Sequence, residues 1–210
     1  MPLLSHPLKL EPQFVDKPSQ MTEPTKFKFP DVIYLLALMW VIHAVQWLMP
    51  GNLYQFGILP RTVTGLFQIP LAPFIHGSLF HLIANSFPLL GLGILVQLKE
   101  RALFWELCAI IAVLAGVGTW LIGSASYHIG ASGLVLGLWA YVLADAYFRR
   151  SVRAIVIALV TLLFYGGLIF TVFDLRPSIS WSGHMSGIFA GILVAWLNAK
   201  GQAKNNIEKS

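Results

Sequence analysis

Six apolar runs, over residues 32–49, 78–97, 103–122, 132–148, 154–173 and 184–198, decide what solvent this chain can live in. Most of them approach the ~20 residues that a helix needs to cross a hydrocarbon core of ~30 Å. The chain is 57% hydrophobic and only 11% charged over 210 residues, far from the composition of a water-soluble domain. In lipid every backbone polar group must be satisfied internally, which a helix does within its own length. The expected fold class is therefore an all-α membrane protein, a bundle of six transmembrane helices with both ends of the chain on one side. Residues 1–30 contain no apolar core of the kind a signal peptide carries and read as a soluble N-terminal tail. The membrane domain is expected over residues 31–199, followed by a C-terminal tail over 200–210. Residues 50–77 are apolar but broken by proline and glycine ("GLFQIPLAPF"), and read as an outer loop partly sunk into the membrane interface. The single cysteine, Cys108, lies within an apolar run, so there is no disulfide framework.

Charge orients the bundle. Twelve of the fourteen Lys and Arg fall in the N-terminal tail, the second-to-third link (Lys99, Arg101), the fourth-to-fifth link (Arg149, Arg150, Arg153) and the C-terminus. Only Arg61 and Arg176 lie opposite. The positive-inside rule puts both termini in the cytoplasm, as in a multi-pass protein of the inner membrane. The net charge of +5 is thereby accounted for without a nucleic-acid partner.

With that orientation the second, fourth and sixth runs all travel from outside to inside. The fourth opens at "GASG" with Ser132, and the seventeen residues from there to Arg149 make a helix of about 25 Å. Its outer end should lie below the membrane surface, so the preceding "GSASYHIGA" must descend to meet it. Irregular backbone at that depth is tolerated only beside protein or a water-filled cavity. The sixth run, "WSGHMSGIFAGILVAW", carries His184 at its outer end, and an ionisable residue inside a membrane is by default a functional candidate. Gly187 and Gly191 share the face of His184, while Gly133 and Gly137 form a stripe beside Ser132. Small-residue stripes let helices approach closely. If the two stripes meet, an imidazole comes within reach of a hydroxyl that it can activate. The second run opens with "HGSLFHLIANSF", where His81 and Asn85 are four apart on one helical face. An amide, an imidazole and a backbone N–H at a helix N-terminus are suitable donors for an oxyanion.

Absences narrow the reading. Every acidic residue except Asp174 falls at or beyond the cytoplasmic end, and Asp145 lies thirteen residues from Ser132, about 20 Å along one helix. A Ser-His dyad is expected rather than a triad; Asp174 reads first as ending the fifth helix near Arg176 and Pro177, with orientation of His184 as the lesser alternative. No carboxylate or H-E-x-x-H helix accompanies His76, His81 and His184, so neither metal nor cofactor is expected. His128 reads as a wall of the cavity, and His43 as facing another helix through a hydrogen bond. Taken singly, the glycines suit helix packing and Ser132 a helix cap, as in a non-enzymatic carrier, channel or chaperone with a polar outer vestibule. Taken together, at one depth, they point to proteolysis.

Over residues 32–198 the chain resembles the rhomboid intramembrane serine proteases of the compact six-helix bacterial type. The resemblance rests on "HGSLFHLIAN" in the second helix, "GASG" opening the fourth and "GHMSGIFAG" in the sixth, in that order. It implies that Ser132 is the nucleophile and His184 its general base, with His81, Asn85 and the Ser132 N–H forming the oxyanion site. It also implies that His76 lines the cavity or braces the outer loop, beside Gly130 and Gly133 around the nucleophile. The implied partners are the bilayer and transmembrane protein substrates, cut near the outer end of their span; oligomeric state is left open. Two departures stand out. Leu136 occupies a position where many family members have tyrosine, and Arg61 follows Pro60 where a Trp-Arg pair is characteristic.

Overall fold

The computed structural model describes residues 29–49, 53–174, 176 and 179–207, with side chains as far as residue 202. Most of the tail expected over residues 1–30 lies outside the described residues, as does Pro177. The described chain is helical: α1 Asp31–Leu48, α2 Val63–Phe67, α3 Leu79–Glu100, α4 Phe104–Ile122, α5 Ser132–Arg149, α6 Val152–Tyr165 and α7 Trp181–Ile207. Six of these correspond to the six apolar runs, and α2 is a single short turn within the outer loop. Asp31–Leu48, the stretch Leu79–Ile122 and Val152–Phe173 are long and apolar enough to cross a membrane. This is a membrane-protein bundle.

The more polar α5 is the enclosed helix of the bundle, whereas α7 buries one face and turns Phe189, Ile192 and Leu197 outward. From Leu134 to Val142 every residue of α5 is buried, packed by α3, α4, α6 and α7. By contrast α1 turns Tyr34, Trp40, Val41 and Trp47 outward. The two glycine stripes do meet. A Cβ at Gly187 would fall 2.2 Å from the Gly133 carbonyl oxygen, and one at Gly191 2.0 Å from that of Gly137. Any larger residue would force the helices apart, so the approach of α5 to α7 depends on glycine.

Three details differ from the sequence expectation. The fifth run is not one α-helix: α6 gives way at the Gly166-Gly167 pair to a 3-10 segment, Gly166–Phe173, because two successive glycines are poor helix formers. The helix expected to stop at residue 199 runs on to Ile207, with Lys200 over the Trp196 ring at 3.9 Å and Gln202 bonded to Glu100 at 3.4 Å. His43 is buried on α1, but neither of its ring nitrogens has a hydrogen-bond partner among the described residues.

The outer loop has two faces. Ile58, Ile69 and Ala72 form a small core with Val117 and Trp120, while Val63, Leu66, Phe67 and Leu71 project outward. Thr62 caps α2 by accepting the Gly65 N–H at 3.0 Å. Arg61 donates to the Leu121 and Gly123 carbonyls at 3.2 and 2.8 Å, closing the end of α4.

At the opposite end, α3 and α5 are joined by charge. Asp145, 1% exposed, pairs with Lys99 of α3 and, at 2.7 Å, with Arg149 one turn on. Arg149 also reaches Glu100 at 2.5 Å.

Candidate active site

Residues 123–131 run down from the end of α4 to the start of α5, and their course is set by backbone pairing. His128 and Ile58 exchange two backbone hydrogen bonds of 2.9 Å, an isolated antiparallel bridge to the outer loop. Gly130 then donates to the Ala72 carbonyl at 2.9 Å. Its φ of +99° is open to glycine and strained for other residues, and a Cβ there would come 2.6 Å from the His81 ring. Glycine is required at residue 130 on both counts.

His76 braces this turn. Buried completely, its ring donates from Nδ1 to the Phe74 carbonyl at 3.3 Å and accepts the Ala131 N–H at Nε2, 3.4 Å away. Burial, aided by the neighbouring His81, lowers its pKa to about 4, so the ring stays neutral and keeps the lone pair that this arrangement needs. It meets His81 edge to face, ring centroids 5.0 Å apart.

Ser132 is the first residue of α5, where backbone N–H groups have no intrahelical acceptor. It lies on the wall of an open cavity of about 550 Å³. His184, in the first turn of α7, lies on the same wall, and from α3 come His81 and Asn85. All four side chains named from the sequence therefore reach one space. The chain around Ser132 and His184 is in close contact, since a Cβ at Gly133 would sit 3.2 Å from the Gly183 carbonyl oxygen. No hydrogen bond joins the Ser132 hydroxyl to His184 in this arrangement.

Two of these side chains, His184 and Asn85, are held by backbone carbonyls. The His184 ring donates from Nδ1 to the Thr171 carbonyl at 3.0 Å, which fixes the tautomer and leaves Nε2 as the basic nitrogen. Asn85, 4% exposed, donates from Nδ2 to the His81 carbonyl at 2.9 Å, keeping a second N–H and its oxygen for other partners. His81 is half-buried, and its backbone N–H is capped by Ser78 at 3.1 Å. Asp174 does not orient the imidazole: it binds the Arg176 guanidinium (2.8 Å from Nε), which holds its carboxyl below the usual range. Leu136 is buried and lines the cavity floor. Thr171 escaped the sequence reading because its contribution is a carbonyl, which every residue has.

The model of the rhomboid domain family matches residues 60–201. Similar proteins occur in mycobacteria. Uncharacterized proteins of Mycobacterium tuberculosis and Mycobacterium bovis are each 38% identical over 175 residues, covering 79% of this chain and 73% of theirs. One from Mycobacterium leprae is 32% identical over 187 residues, covering 85% and 74%. The chain belongs to the rhomboid family, a family of intramembrane serine proteases.

Proposed function

We propose that this chain is a serine endopeptidase that cleaves single-span membrane proteins near the outer end of their span. The observation that carries the reading is the meeting of Ser132, His184, His81 and Asn85 on one cavity, with the His184 ring held at Nδ1 by a backbone carbonyl. The Ser132 hydroxyl attacks the scissile carbonyl carbon while His184 Nε2 takes its proton. The resulting oxyanion is met by the Ser132 N–H, the free Asn85 N–H and His81. His184 then gives its proton to the leaving amine, and a water, activated by the same nitrogen, hydrolyses the acyl-enzyme. The Thr171 carbonyl does the work of a third triad member, stabilising the Nδ1–H tautomer without a carboxylate.

Six helices span the inner membrane in this reading, with both termini in the cytoplasm. The outward apolar face of the outer loop rests in the interface. Substrate enters from lipid as a helix and exposes a peptide bond at the wet layer. Small or helix-breaking residues are therefore expected near the cut, where they lower the cost of opening that helix.

A fluorophosphonate probe tests the assignment: wild type should be labelled at Ser132 and Ser132→Ala should not be labelled. Labelling at another residue, or cleavage of a single-span substrate by the alanine variant, would remove Ser132 from the mechanism. Single cysteines over residues 123–129 should react with an impermeant reagent from outside, and one near Arg150 only from the cytoplasm. The reverse pattern would overturn the orientation.

A further inference from the structure

His128 does more than line a wall. It lies four residues before Ser132 and is 7% exposed. Its backbone is clamped to Ile58 on the outer loop. Its ring reaches the other way, with Nε2 3.1 Å from the Ser124 carbonyl and Nδ1 2.7 Å from the Ser180 hydroxyl. A carbonyl only accepts, so Nε2 carries the hydrogen. Burial lowers the ring's pKa and keeps it neutral, so Nδ1 is an acceptor and the Ser180 hydroxyl donates to it.

Ser180 is in turn the residue on which α7 begins. Its hydroxyl oxygen accepts the Gly183 N–H at 3.1 Å, and its carbonyl accepts the His184 N–H at 3.0 Å. One unbroken chain of bonds thus leads from the segment that delivers Ser132, through the His128 ring and Ser180, to the helical turn that holds His184. A Cβ at Gly183 would fall 2.7 Å from the Ser180 hydroxyl oxygen, so this turn is packed with no slack.

We infer that His128 is a positioning residue, which sets the separation of Ser132 and His184 through its hydrogen bond to Ser180. The inference rests on the protease reading for its consequence, while the bond itself can be tested apart from it. His128 touches no reacting atom. Its effect is to keep the nucleophile segment and the base helix from sliding past one another. A displacement of ~1 Å between such groups can cost on the order of 10² in rate.

The test separates the two ring nitrogens. His128→Asn keeps an acceptor near the Nδ1 position, and His128→Gln keeps a donor near Nε2 but loses the partner of Ser180. The expected result is a fall in kcat of about 10–10² for His128→Gln with KM unchanged, and recovery of most of that loss in His128→Asn. Ser180→Ala should lower kcat as well, and combining it with His128→Gln should add little. Wild-type kcat in His128→Gln, an equal fall in His128→Asn, or losses that multiply in the double variant would overturn the inference. Wild type, His128→Gln, Ser180→Ala and the double variant, unfolded in detergent, report the bond without reference to activity. If wild type neither cleaves nor takes the probe, the protease reading fails. A non-additive loss of stability would still support the tie, and an additive loss would overturn it.

Discussion

Buried polar groups gather at both ends of the bundle, between α3 and α5 at one and around α3 and α7 at the other, and the two ends treat them in opposite ways. At the inner end Lys99, Asp145, Arg149 and Glu100 pair with one another as ions. At the outer end His76, Asn85 and His184 are each fixed to a backbone carbonyl by one atom. The second ring nitrogen of His184 and the second amide N–H of Asn85 are left over for whatever enters the cavity. A buried group whose partners are all internal stabilises a fold and has nothing left for chemistry. A group held by half its capacity is oriented and still reactive. Of these helices α3 contributes to both clusters, and its 22 residues are long enough to keep the two environments well apart.

The largest expected effect comes from the reactive end. Ser132→Ala and His184→Ala should each lower kcat by on the order of 10⁶, below detection, with the unfolding midpoint in detergent unchanged. Residual turnover in either variant, with contamination excluded, would merge the two classes of residue. Next is Asp145→Ala, which leaves Lys99 and Arg149 facing each other without their shared carboxylate. A loss of about 3–5 kcal/mol is expected, a midpoint lower by roughly 6–20 °C, with kcat retained below the new transition. A normal midpoint with impaired kcat would mean that the inner cluster serves the reaction.

Asn85→Ala should lower kcat by about 10²–10³ while KM changes little, as for a donor that acts on developing charge. Full retention of rate would assign the oxyanion to His81 and the Ser132 N–H alone. The smallest effect belongs to His43, buried on α1 within electrostatic reach of His76 but with neither nitrogen bonded among the described residues. His43→Met should raise stability by about 1–3 kcal/mol in a detergent unfolding assay and leave activity untouched, because it removes an unpaired buried polar group. A loss of stability instead would show that His43 has a partner in the membrane.

Six of the seven helices were legible as apolar runs, and α5 begins at Ser132, where "GASG" placed its start. The glycine stripes were legible as well, since a face lined by Gly187 and Gly191 can only be used by a close neighbour. The interruption of α6 could have been anticipated from the adjacent Gly166 and Gly167. The extension of α7 past Lys200 could not, because it leans on Glu100, far away in the chain.

Taken by itself, the sequence determined which segments are apolar helices, where charge gathers along the chain and which side chains fall near corresponding helix ends. Those properties follow from composition and helical periodicity along one segment. Tertiary structure alone decided what each polar group is bonded to. It gave the His184 ring the carbonyl of Thr171, passed over the nearby carboxylate of Asp174, and joined His128 to Ser180. A backbone carbonyl has no signature in a sequence, and its availability depends on how one segment turns against another. Which acceptor a buried imidazole finds is therefore set by the packing of elements far apart in the chain.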